Sequence, residues 1–166
     1  MTHYRFLNRL ICFTLAAILL SGCGFKLRGS MDIPESSRLV TLVLKSGTSV
    51  SFEQALKRTI TQQGINIQEN APYQLTIKQV EENRRSITLD SKANVDEYEI
   101  LLLVNFEILN SDGESISGPL VARTERIYDY DADAATASYS LEKEIREEMW
   151  QSISERIVRQ YIARTR

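Results

Sequence analysis

Three groups of residues in this chain could do chemistry, and what is missing around them narrows that chemistry. Cys23 closes the run Leu20-Ser21-Gly22-Cys23 and offers a thiol at the end of an apolar stretch. Arg84, Arg85 and Lys92 form a basic patch, and guanidinium groups grip phosphate oxygens bidentately. Asp129, Asp131 and Asp133 bunch carboxylates, and hard cations take clustered oxygens. They lack the glycine turn and distal Glu of a calcium loop, so the plain reading is acidic residues ahead of a helix. Cys12 and Cys23 are the only cysteines and His3 the only histidine. If the chain is cut before Cys23 and that thiol is acylated, neither an imidazole nor a free thiol remains. Disulfides, CxxC redox pairs, Ser-His-Asp and Cys-His arrangements and zinc sites then have no ligands. No Gly-x-Ser-x-Gly nucleophile elbow occurs. An enzyme built on this chain would have to work with carboxylates or lysines alone.

The leader explains why the cut is expected at Cys23. Arg5 and Arg9 precede an apolar run, Leu10 to Leu20, that only Thr14 interrupts; small Ser21 and Gly22 follow. That is the basic, apolar and small-residue order of an export signal. The run is too short to cross a hydrocarbon layer, which takes about 20 residues. Leu-Ser-Gly-Cys looks like the lipobox of bacterial lipoproteins, in which the cysteine is lipidated on sulfur and becomes the acylated N-terminus. The alternatives are a plainly cleaved signal and a short anchor helix. With Gly24 rather than Asp after the cysteine, the pattern implies sorting to the outer membrane. At about 0.8 kcal/mol per buried methylene, two or three acyl chains hold a protein to a membrane permanently.

Residues 1–22 are therefore read as a signal peptide, 23–37 as a lipidated N-terminus and tether, and 38–166 as one domain with one core. Gly24, Gly29, Pro34, Ser36 and Ser37 mark the tether. The leader holds two of the 20 basic residues and none of the 22 acidic ones, so the mature chain carries 18 against 22, a charge of −4. That balance argues against nucleic-acid binding, which favours a basic surface.

The elements that must position these groups can be read from periodicity. Arg38–Lys45 alternates as a strand. Ser51 and Gln54 fit a capping box, and Phe52, Ala55, Leu56, Thr59 and Ile60 recur at helical spacing up to Gln63, with Gly64 closing the helix. Tyr73–Ile77 is a half-buried strand that continues irregularly towards Leu89. Val95–Leu109 is the longest strand signal. Tyr98, Ile100, Leu102, Val104, Phe106 and Ile108 share its apolar face; Leu101 and Leu103 sit among Glu97, Glu99, Asn105 and Glu107 on the other. Asn110-Ser111-Asp112-Gly113 predicts a hairpin turn into a strand at about Gly118–Tyr130. Leu141, Ile145, Met149, Ile153, Ile157 and Tyr161 then form an i, i+4 row with Trp150, Val158 and Ile162 beside it. Early glutamates (142, 144, 147, 148) and late arginines (156, 159, 164) complement the helix dipole. The order βαβββα predicts an α+β two-layer sandwich: a four-stranded, mixed but mostly antiparallel sheet with two helices on one face.

The mature start Cys23-Gly24-Phe25-Lys26-Leu27-Arg28, this element order, and the stretch from Glu148-Met149-Trp150 to Arg159-Gln160-Tyr161 together resemble the LptE family of lipopolysaccharide-assembly lipoproteins. Lys26 stands where that family commonly has His or Gln. The resemblance implies a non-enzymatic subunit, without cofactor or metal, that plugs the LptD β-barrel of the outer membrane, assists its assembly and binds lipopolysaccharide. It also implies anchoring in the inner leaflet, on the periplasmic side.

Each candidate residue has a bland reading beside the functional one. Phe25, Leu27 and Arg28 either seat the tether against the barrel wall or membrane, or pack on the domain's own sheet edge. Arg84, Arg85 and Lys92 either meet lipopolysaccharide phosphates or form a solvated hairpin end that discourages edge pairing. Leu101 and Leu103 either contact the barrel wall or lie under the second helix. Two other functions fit less of the sequence: a generic scaffold for another envelope transporter, and a lipid-anchored hydrolase.

Overall fold

The computed structural model describes residues 33–89, 91 and 94–166. Ile33–Arg166 forms one compact unit. It contains a 3₁₀ turn, Glu35–Arg38, then β1 (Leu39–Leu44), α1 (Val50–Gln62), β2 (Asn66–Ile67), β3 (Tyr73–Leu89), β4 (Val95–Asn110), β5 (Leu120–Asp129) and α2 (Ala135–Arg164). The strands make one mixed sheet in the order β2-β1-β3-β4-β5. β1 is parallel to β2 and β3, while β3, β4 and β5 run antiparallel. The α+β architecture is the expected one, with a two-residue fifth strand added at the edge of β1. Asn66 and Ile67 are too few to leave a periodic signal.

Both helices cover one sheet face. Phe52, Ala55, Leu56 and Ile60 of α1 meet Met149, Trp150, Ile153, Ile157, Val158 and Ile162 of α2 over Leu75, Ile77, Ile100, Leu102, Val104, Phe106 and Ile108. Trp150 is core, with its ring 5.1 Å from that of Phe52. The chain enters through this core. Ile33 is buried, Ser37 donates to the Thr165 carbonyl (2.7 Å), and Tyr161 donates to the Leu39 carbonyl (2.8 Å). The end of α2 is thus pinned beside the start of β1.

Several local expectations are corrected. α1 begins at Val50 behind Ser49, so Ser51 lies inside the first turn and is not the cap of a Ser51–Gln54 box. Gly64, at φ +75°, does close the helix in the left-handed region that glycine enters freely. The Asp112-Gly113 turn is real but heads a longer loop. Asn110 Oδ1 accepts from the backbone N–H groups of Asp112 and Glu114, and β5 starts only at Leu120. α2 begins at Ala135, and its first turn holds no acid. The dipole acts within about one turn of the helix end. Glu142, Glu144, Glu147 and Glu148 lie beyond its reach. Leu141, the first member of the apolar row, is exposed.

One irregularity governs which side chains face the helices. β3 carries a bulge between Ile77 and Gln79. Before it, Leu75 and Ile77 point into the core; after it, Val80 lies opposite core residue Val104, Glu82 opposite Leu102, and Arg84 opposite Ile100. A one-residue slip moves every later side chain to the other face. Arg84 therefore faces the helices and Arg85 faces away.

Candidate functional site

Beyond the bulge the helix-facing side of the sheet turns polar, and the first half of α2 lies over it. The Arg84 guanidinium sits 3.3 Å above the Tyr98 ring centroid, a cation–π contact. Its Nε donates to the Tyr128 hydroxyl (3.0 Å) and pairs with Glu142 Oε2 (3.2 Å). Tyr128 donates its own proton to Glu142 Oε2 at 2.5 Å. Glu142 Oε1 accepts two bonds from Arg146, one helical turn on, at 3.0 and 2.7 Å. Arg146 also pairs with Glu82 on β3. Tyr98 stacks on Tyr128 (5.9 Å) and meets the edge of Tyr130 (5.2 Å).

The electrostatics follow from this alternation of sign. Burial opposes ionisation of Tyr128, and the Glu142 carboxylate accepting its proton adds to that, so its pKa is pushed up to about 12. Burial works against the charge on Arg84, but the Tyr128 bond and the Glu142 and Tyr98 neighbours outweigh it and raise its pKa. Burial lowers that of Arg146. Every carboxylate in the cluster already has a cation on it. The arrangement therefore fastens α2 to β3 and β5 rather than poising a base or nucleophile.

The opposite sheet face is open among the described residues. Leu101 and Leu103 lie there half-buried, and both helices occupy the other face, so the alternative that the second helix covers them is excluded. Their neighbours across the strands are Asn83, Glu81, Glu125 and Arg123. Arg85 bonds Glu99 at 2.6 Å, Arg123 bonds Glu125 at 2.8 Å, and Lys78 pairs with Glu107. The Arg85 bond holds the Glu99 carboxyl below its usual range. This is a charged surface with an apolar ridge.

The basic patch read from sequence is accordingly not one patch. Arg84 and Arg85 point to opposite faces and each has a carboxylate partner. Lys92 lies outside the described residues, as do Cys23, Phe25, Leu27, Arg28 and the leader. Asp131 turns its carboxylate to the Asp133 N–H (2.8 Å), a local turn ahead of α2. No group of three or more metal-ligating side chains is assembled among the described residues. A cleft of about 180 Å³ between the helices, lined by Ser51, Gln54, Arg58 and Glu147, falls below the roughly 300 Å³ of ordinary ligand pockets. Sequence reasoning missed Glu82, Tyr128, Glu142 and Arg146. The i, i+4 spacing of Glu142 and Arg146 was the available signal.

A saturated ion lattice, one open sheet face and a chain entry buried at one end define a two-layer α+β domain. Comparison with known proteins gives that class a family. The family model described as "LptE: Lipopolysaccharide-assembly" matches residues 39–161, and the chain belongs to that family. It is 27% identical over 153 residues to the LPS-assembly lipoprotein LptE of Pectobacterium atrosepticum, covering 89% of this chain and 81% of the relative. It is 25% identical over 155 residues to that of Photorhabdus laumondii, with the same coverage. Among solved structures, an uncharacterized lipoprotein B from Nitrosomonas europaea superposes with TM-score 0.68 at 20% identity, covering 84% of this chain and 91% of that one. A minor lipoprotein from Acinetobacter baumannii gives 0.64 at 23%, covering 76% and 92%. The protein is thus a non-enzymatic lipoprotein of lipopolysaccharide assembly in the bacterial envelope.

Proposed function

We propose that this lipoprotein is anchored through acylated Cys23 in the inner leaflet of the outer membrane. There it plugs the LptD barrel, assists that barrel's assembly, and binds lipopolysaccharide for insertion at the cell surface. The observation that carries the reading is length along one axis. The chain enters beside the start of β1, level with Gln74 of β3. β3 then runs on to Leu89, and 15 residues at about 3.3 Å each place the hairpin end up to about 50 Å away. The 30 residues of α2 span about 45 Å alongside. A domain tethered at the base exceeds the roughly 30 Å hydrocarbon layer. Its charged open face suits a barrel interior, which is polar, better than lipid. Among the described residues no helix is long and apolar enough to cross a membrane.

In this reading Leu101 and Leu103 form the ridge that meets the barrel wall, and Phe25, Leu27 and Arg28 seat the tether. Of the described cations, Arg84 is committed to Tyr128 and Glu142 on the helix-facing side, whereas Arg85 makes an exposed surface pair with Glu99 that lipopolysaccharide phosphates would compete for, with Lys92 as the second cation of this proposal. Detergent extraction of a tagged protein should recover one large β-barrel in near-equal amount. Recovery of the lipoprotein alone, or with a different transporter, would remove the plug role and leave the scaffold reading. Lipopolysaccharide affinity should fall in the Arg85→Ala/Lys92→Ala variant and hold in Arg84→Ala. Undiminished binding in the triple variant ends the phosphate assignment.

A further inference from the structure

The free side of β5 carries a pattern that is complementary to itself. In an antiparallel ladder, directly opposed residues alternate between pairs that exchange hydrogen bonds and pairs that do not. Tyr130 donates to the Asp96 carbonyl, and Tyr128 lies opposite Tyr98 in the same register. The even-numbered residues of β5 thus bond to β4, and the odd-numbered ones turn their N–H and C=O groups outward. Two contacts agree: the Arg123 carbonyl accepts from Arg156 (3.0 Å) and the Glu125 carbonyl from Arg126 (3.3 Å), both side chains reaching the edge. Among the described residues no strand pairs with this edge.

The outward residues in order are Val121, Arg123, Glu125 and Ile127, all exposed, with Val121 at 52% and Ile127 at 56%. Their side chains lie together on the open sheet face. A second β5 laid antiparallel about a two-fold axis through Thr124 sets Val121 opposite Ile127 of the other copy, and Arg123 opposite Glu125. The outward, odd-numbered residues meet one another there, as hydrogen-bonded pairs require. Thr124 meets its own counterpart on the helix-facing side, in a non-bonded pair. Apolar pairs, opposite charges and Thr–Thr pairs are the cross-strand combinations that stabilise sheets. An isologous contact needs this kind of self-complementarity. Shifting the register two residues either way breaks both charge pairs.

We propose that two copies of this lipoprotein pair edge to edge through β5, antiparallel about a two-fold axis at Thr124, joining their sheets into one. In the single copy Arg123 and Glu125 pair with each other along the strand at 2.8 Å. In the pair they form a square of alternating charges. Arg156 and Arg126, both exposed, swing off the two carbonyls to admit the new strand. An exposed edge of this length otherwise invites unspecific pairing, and the charge order selects one partner in one register. The pairing belongs to lipoprotein not yet seated in a barrel, since a lumen that one copy fills holds no second, and it does not rest on the barrel reading, because it is measured on the isolated lipoprotein and not by co-purification.

The test is sedimentation of the full-length lipoprotein, purified in detergent, over a wide concentration range. The dimer fraction should rise with concentration. Arg123→Glu alone and Glu125→Arg alone place like charges opposite each other twice, and each should weaken association about tenfold or more. The double variant should restore it. So should mixing the two single variants, since each then supplies the charge the other lacks. Thr124→Cys should oxidise to a disulfide-linked dimer, because facing α-carbons at a non-bonded pair lie about 4.5 Å apart. Glu125→Cys, which faces position 123 and not itself, should crosslink far less. Monomers at every concentration would overturn the proposal. So would a dimer indifferent to single charge reversal, or one not rescued by mixing, as two copies sharing a micelle would be.

Discussion

The base of the domain and its far end are built from the same strands and the same helix, yet they are held together by opposite means. At the base, Phe52, Leu56, Leu75, Phe106, Trp150 and Ile157 exclude water, and hydroxyl bonds from Ser37 and Tyr161 tie the start of β1 to the end of α2. At the far end the same α2 face meets Arg84, Tyr128 and Glu82, and the contact is an ion and hydroxyl lattice. From Ala135 to Glu148 only Ser138 of the helix is fully buried. Burial of apolar area is non-directional and tolerates repacking; a charge lattice works in one geometry only. The base therefore supplies stability, and the far end supplies position.

That contrast can be broken most severely at the base. Phe106→Ala should cost about 3–5 kcal/mol, through lost burial plus a cavity, and lower the midpoint of chemical denaturation for the whole domain. A smaller and more local effect is expected from Glu142→Ala. It leaves Arg84 and Arg146 without their shared carboxylate at a cost of about 1–3 kcal/mol. Amide exchange should quicken across 135–146 while 149–162 stays protected; equal acceleration of both would show that the two ends are not separately held.

Alkaline pH sharpens the same contrast. Tyr128 ionises at about 12 in the fold against an ordinary 10.0. Its stabilising contribution is whole below pH 10 and is lost as pH rises towards 12, because the unfolded chain gives up that proton first. Tyr128→Phe should flatten the fall in stability over that window, read by denaturation midpoints at pH 9 and 11.5. The smallest effect belongs to the open face. Arg85→Ala removes an exposed surface pair and should leave the denaturation midpoint almost unchanged.

Much of the base was legible in residue order. The alternation of Tyr98 through Ile108 named the buried face of β4, and Gly64 named the end of α1, because periodicity and positive φ are local properties. The far end was not. The row from Leu141 to Tyr161 reads as one continuous stripe, but its first member is exposed, and Glu142 beside it is the residue that meets the sheet. Arg84 and Arg85 read as one basic patch, but the strand pleat sends neighbours to opposite faces, and the β3 bulge decides that Arg84 is the one under the helix. Nothing in the residues around Lys78 announces that bulge.

Element types, the buried face of each long element and the absence of imidazole and free thiol after Cys23 were determined by the sequence alone, since each depends on neighbours along the chain. Which carboxylate neutralises which arginine, where the helix stops burying apolar area, and which backbone groups β5 leaves unpaired were decided only by the tertiary structure. Those depend on strand register, and register is set by contacts between residues far apart in the chain.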